Sequence, residues 1–185
     1  MNAMRILLVC AVATCFGAAA ARAQSLPVRA AAEVRFAMRN CLQNHLTPQR
    51  IFAGFTQHGF FYSKEDFGGG PEDVLHRFTR PDRLIDIAMV VTPGLTECRI
   101  STRYMDVPLA LKFTRAVLRG ILDEEISEGS PEGDNVTPWH PLAGARACSG
   151  YSFALPPRQA SVTIGNAGQD PRCISDGTAQ IMMRM

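Results

Sequence analysis

Polar and apolar positions alternate with a period of two from Thr96 to Tyr104. Glu97, Arg99, Ser101 and Arg103 fall on one side, and Cys98, Ile100, Thr102 and Tyr104 on the other. That is the pattern of a strand with one buried face. The preceding stretch, Arg83–Val91, is apolar on nearly both sides, with Asp86 as the interruption inside it. A strand of that kind belongs near the middle of a sheet. Thr92-Pro93-Gly94 joins the two as a tight turn, so they are expected to form an antiparallel hairpin.

Other segments carry the helical period. Val34, Met38, Cys41, Leu42 and Leu46 recur at three- and four-residue steps, predicting a helix over Pro27–Leu46. Thr47-Pro48 starts a short second helix, with Thr47 as N-cap and Gly54 near its end. Gln57–Ser63 reads as a strand, Lys64–Asp73 as a polar turn around Gly68-Gly69-Gly70-Pro71, and Val74–Thr79 as strand again. Arg80-Pro81-Asp82-Arg83 is a turn with Pro in its favoured second position. Asp106-Val107-Pro108 then opens the strongest helix in the chain, running to about Asp123. Its stripe is Val107, Ala110, Leu111, Thr114, Val117, Leu118, Ile121 and Leu122. From Asp123 to about residue 146 the chain is expected to be a long irregular loop with three prolines and six acids. Alternation resumes at Ala147–Leu155. Pro156-Pro157 turns the chain, Ala160–Ile164 pairs back, and Thr178–Met185 closes as a strand with Ala179, Ile181, Met183 and Met185 on one face.

The order is helix, short helix, strands, helix, strands. Helices and strands are segregated, and the strand connections are of hairpin length. The expected fold is therefore α+β, with an antiparallel sheet of about six strands covered by two main helices. The two halves share a helix-then-strands rhythm without matching residues, so no sequence repeat is claimed.

The N-terminus changes the reading of composition. Arg5 precedes an apolar run of small residues, and Ala21-Arg22-Ala23 fits the pattern read by signal peptidase. Residues 1–23 are thus expected to be a cleaved signal peptide, and residues 24–185 a single domain that is periplasmic or secreted. No later segment approaches the ~18 uninterrupted apolar residues of a membrane span. The leader holds two of the 19 basic residues and none of the 17 acids, so the net charge of +2 falls to about zero on cleavage. A neutral chain gives no electrostatic case for nucleic acid or for an anionic membrane.

Cys10 and Cys15 leave with the leader. Four cysteines remain, Cys41, Cys98, Cys148 and Cys173, and an even number in an exported chain reads as two disulfides. Four cysteines allow three connectivities. The expected one is Cys41–Cys98, joining the inner face of the first helix to the inner face of a strand, with Cys148–Cys173 across a hairpin. A zinc site or redox pair would need close spacing such as C-x-x-C, which the sequence lacks.

Candidate chemistry is sparse. His45, His58, His76 and His140 form no metal-ligand pair, and no cofactor motif is present, so neither metal nor cofactor is expected. His45 sits near a helix C-terminus, where a cation favours the dipole. Trp139 and His140, in Thr137-Pro138-Trp139-His140-Pro141, are the candidate binding tip of the long loop, because aromatic anchors dominate interface energetics. Its acids lack the D-x-[DN]-x-[DN]-G calcium pattern. Met182, Met183 and Met185 offer soft ligands, but adjacent residues on a strand face opposite ways, which favours core packing. No G-x-S-x-G or S-x-x-K nucleophile motif occurs. The leading expectation is a non-catalytic binding, inhibitor or accessory protein of the cell envelope, whose partner is an envelope protein or a small ligand. The alternative is an envelope hydrolase with a site gathered from distant positions, using His58, His76 or His140 as general base.

Overall fold

A computed structural model describes residues 25–66, 74–122, 126–128, 149–165 and 178–185. Helix α1 spans Leu26–Gln43 and buries Ala30, Val34, Ala37, Met38, Cys41 and Leu42; four of these belong to the stripe read from the sequence, while its fifth member, Leu46, lies past the helix end and is exposed. Helix α2, Pro48–Gln57, follows and buries Ile51 and Phe55. Thr47 takes its N-cap position, but its side chain makes no capping bond, contrary to expectation. Gly54 lies inside α2, where its bare Cα lets Asn40 of α1 approach closely.

Strand β1 is Phe61–Asp66 and β2 is Val74–Thr79. The expected strand at Gln57–Ser63 begins late, because His58 still caps α2 and Gly59 turns the chain at φ 87°. Lys64–Asp66, expected as turn, is strand instead. Pairing with Val74–His76 satisfies its backbone whatever the side-chain polarity. Strands β3 (Asp86–Thr92) and β4 (Leu95–Thr102) form the expected hairpin over Pro93-Gly94, with Thr92 opposite Leu95. Gly94 adopts φ 86°, as the third position of a Pro-Gly turn requires. The first strand of this hairpin starts three residues later than expected. Arg83 turns at φ 46°, and Thr102 Oγ1 donates to the Leu84 carbonyl at 2.9 Å, holding the buried Leu84 off the ladder.

Helix α3 spans Val107–Arg119, opened by Asp106, whose carboxylate accepts from the Leu109 N–H at 2.8 Å, and closed at Gly120. The remaining strands are β5 (Ser127–Glu128), β6 (Ser149–Leu155), β7 (Arg158–Gly165) and β8 (Ala179–Arg184). The expected loop over 123–146 therefore contains a short strand. Its remaining residues from 129 onward, Trp139 and His140 among them, lie outside the described residues.

All pairings are antiparallel, and the sheet order is β1-β2-β3-β4-β8-β7-β6-β5. The fold is α+β as expected, with seven strands of six to eight residues and the two-residue β5 among the described residues in place of about six. The middle of the sheet is the β4–β8 pair rather than β3. Residues 178–185 supply the second central strand because Ala179, Ile181, Met183 and Met185 are all buried toward the helices. The C-terminal methionines are thus core or near-core groups, with Met182 alone pointing to the other face.

Cys41 and Cys98 form a disulfide that ties α1 to β4 across 57 residues, with Cα atoms 6.6 Å apart. Of the two disulfides expected, this is the one found among the described residues; Cys148 and Cys173 lie outside them. Among the described residues no helix is long and apolar enough to cross a membrane.

Candidate functional site on the second face of the sheet

The helices gather on one side of the sheet. α1 packs on β4, and α3 on β6, β7 and β8. Phe52 of α2 meets Tyr62, His76 and Phe78. Every second residue of each strand therefore points to the opposite face, where no described helix packs.

Register sorts that face into rows. One row runs Arg77–Ala88–Arg99–Met182 across β2, β3, β4 and β8. The next runs Asp86–Ser101–Gln180. Strand spacing is about 4.8 Å, so Arg77 and Arg99 stand roughly 10 Å apart with only the Ala88 methyl between them. Small between large makes a floor and two walls. The result is a hollow of about 590 Å³ lined by Leu75, Arg77, Ala88, Arg99, Ser101 and Gln180, with Arg83 and Asp86 at its end. A second hollow of about 210 Å³ shares Arg83, Asp86 and Ser101 and adds Arg103.

The arginines are held differently. Arg99 donates from Nε to one oxygen of the buried Glu97, and Arg184 donates from Nε to the other at 2.8 Å. One carboxylate thus faces two guanidiniums, which leaves the trio with one positive charge. Arg77 Nε lies 2.9 Å from Glu65 Oε1 but out of line for a hydrogen bond, so that contact is one of charge. Arg83 and Arg103 are exposed, and among the described residues neither makes an ion pair; Arg103 stacks over Tyr104, 5.6 Å from the ring centre. Asp86 is exposed and unpaired among the same residues. Gln180 Nε2 donates to Ser101 Oγ at 3.1 Å, which leaves the Ser101 O–H free to donate outward.

The described histidines lie elsewhere. His45 is wedged between two backbone carbonyls, 2.9 Å from Leu42 and 3.2 Å from Pro156, a structural position in keeping with its place at the end of α1. His58 meets Glu33 at 3.1 Å and stacks on Phe36 at 3.7 Å between ring centres. Glu33 also accepts from Arg80 at 2.8 Å, and Arg29 reaches Asp82 at 3.1 Å. This network pins α1 to the β2–β3 turn. His76 packs on Phe52, takes a 2.9 Å contact from Tyr62, and has its pKa lowered by burial and, secondarily, by Lys64. Of the three, His58 alone stands beside a carboxylate, as a general base would. Among the described residues neither hollow is lined by a histidine. Among the described residues no three metal-ligating side chains converge.

Sequence reasoning singled out Trp139 and His140 and passed over the arginine face. Its signal was nonetheless present in the polar side of Thr96–Tyr104. What the alternation could not supply was the neighbour. Only the return of residues 178–185 beside β4 brings Gln180 and Arg184 onto that face.

Comparison with known protein families, with curated proteins and with solved structures finds no match for this chain.

Proposed function

We propose that this is an exported, disulfide-braced binding protein of the cell envelope that seats its ligand on the second face of the sheet and does no chemistry on it. The observation carrying this reading is the polar hollow floored by Ala88. Its volume falls in the range of small-molecule sites, and its lining comes from four strands rather than from one loop. Side chains fixed on a sheet are pre-positioned, so binding there costs little ordering entropy. Among the described residues the lining holds donors and acceptors but no nucleophile paired with a base, which favours binding over hydrolysis.

The test fills the floor. The full chain, residues 1–185, and its Ala88→Trp variant are expressed in the native host, crosslinked, and compared for what they capture. Capture by the wild type and loss in the variant, with unchanged melting temperature, supports the reading. Equal capture by both places the ligand elsewhere and removes it.

A further inference from the structure

The two hollows share Arg83, Asp86 and Ser101, and the charges around them do not cancel. Among the described residues five guanidiniums, those of Arg77, Arg83, Arg99, Arg103 and Arg184, stand against three carboxylates, those of Glu65, Asp86 and Glu97. Residues 24–185 carry 17 of each sign, so this excess is local and not a share of bulk charge. One unit of it stays on the Arg99–Glu97–Arg184 trio, and the other arises where Arg83 and Arg103, neither in an ion pair among the described residues, line the smaller hollow with Asp86. A guanidinium offers a planar fork of donors that matches an oxyanion. One oxyanion is what this end fits.

A site for a simple anion would not place a carboxylate in its lining. Asp86 lines both hollows and would repel a bare polyanion. Its oxygens can only accept hydrogen bonds when ionised, so the ligand must bring donors to them. In the same row, Ser101 has its hydroxyl proton free to donate, and Gln180 has an amide carbonyl free to accept. These groups sit one strand apart, about 4.8 Å. That spacing suits hydroxyls distributed round a sugar-sized ring. A cation partner for Asp86 on the ligand fits less well, because the surrounding guanidiniums would repel it.

We infer that the face binds a small polyhydroxylated acid, with its oxyanion on Arg83 and Arg103 and its hydroxyls on Asp86, Ser101 and Gln180. Sugar carboxylates and sugar phosphates share that chemistry. The inference rests on the binding reading above and narrows it.

Titration calorimetry of the mature chain tests it with four probes: glucuronate, glucose 6-phosphate, glucose and inorganic phosphate. At least one of the two sugar acids should bind about tenfold or more tightly than both glucose and phosphate, since a charged hydrogen bond changes affinity by roughly tenfold to a hundredfold. Which acid binds better tells carboxylate from phosphate. The variant Arg83→Asn removes the guanidinium while tolerating the positive φ, and should weaken the sugar acid by about tenfold or more. Asp86→Asn should act in opposite directions, weakening the sugar acid while strengthening inorganic phosphate. Equal binding of phosphate and sugar acids, unmoved by Asp86→Asn, would reduce the site to an anion patch and overturn the inference. No binding of any acid overturns it too. If Ala88→Trp still abolishes capture in the host, the binding reading survives that result; if it does not, both fall.

Discussion

The half of the molecule from α1 to β4 and the half from α3 to β8 follow one plan: a helix, then antiparallel strands in a meander, the last of them at the centre of the sheet. The strand order reads the same from either edge, β4 pairs with β8, and α1 and α3 touch above that pair. The means of holding each helix differ. α3 has a working N-cap in Asp106, and Tyr151 of β6 donates to its Leu111 carbonyl at 3.0 Å. α1 has no side-chain capping bond and no acid in its first turn. It is fastened instead by tertiary means: the disulfide to β4, the packing of α2, and the Glu33–Arg80 ion pair. One topology thus accepts a helix stabilised by its own ends or one stabilised by its surroundings.

Removing the disulfide should expose that difference most sharply. A cross-link closing 57 residues restricts the unfolded chain by about 4 kcal/mol in the chain-entropy picture. The Cys41→Ala/Cys98→Ala variant should lose on the order of that stability in urea unfolding. Hydrogen exchange should show α1 amides losing protection well before those of α3. Uniform loss across both helices would mean that the halves are not separately fastened.

Two glycines give the next largest effect. A Cβ on Gly150 of β6 would stand 2.3 Å from the Val162 carbonyl oxygen, which is backbone of the paired strand. A Cβ on Gly54 of α2 would stand 2.3 Å from Asn40 Oδ1, the end of a side chain. Equal distances hide unequal freedom, because the ladder cannot move aside and a side chain can. Gly150→Ala should therefore cost roughly 1–3 kcal/mol or more through overpacking, and Gly54→Ala less, in paired thermal melts. The reverse ranking would show that the Asn40 contact is the stiffer of the two.

How much of this was legible in the sequence depends on whether the signal was local. The alternation that begins at Thr96, the Pro93-Gly94 turn and the Asp106 cap each act within a few residues, and each appears in the structure, although the strand ends at Thr102, two residues short of the expected Tyr104. Pairing Cys41 with Cys98 was legible because both periods placed the sulfurs on inner faces. Lys64–Asp66 was misread because its strand state comes from a partner and not from its own residues. The same holds for the arginine face. Arg99, Asp86 and Gln180 become one site through a register between segments some 80 residues apart, and no periodicity encodes that.

Buried polar groups separate the halves more finely. Asn40 of α1 donates to the Ile51 carbonyl at 2.8 Å and accepts from Asn44 at 3.1 Å. Thr114 of α3 is fully buried, and its hydroxyl has no partner among the described residues. Asn40→Leu should cost about 1–3 kcal/mol, since it removes a donated and an accepted hydrogen bond from a buried position. Thr114→Val keeps the shape, removes an unpaired hydroxyl, and should raise stability by up to about 1 kcal/mol. Urea midpoints for the two variants check both signs. A large loss in Thr114→Val would reveal a hydrogen bond at that site.

The smallest difference is one of pH. The three described histidines belong to the first half, and His76 has its pKa lowered by burial against Phe52 and then by Lys64, its cross-strand neighbour. A histidine that resists protonation in the folded state takes up its proton more readily when unfolded. Between its folded pKa and the ordinary value near 6.5, the unfolded chain holds more protons, so stability rises with pH across that window. Stability from this group is fully present above 6.5 and is lost as pH falls through the window. Because His76 is only partly buried, solvent screening keeps the effect small. His76→Gln has no proton to take up, so it should lose less stability than the wild type between pH 7.5 and pH 5. Urea midpoints at the two pH values measure it. A wild type and variant that decline in parallel would move the acid sensitivity away from the β1–β2 edge, and the two halves would then differ in fastening but not in their response to protons.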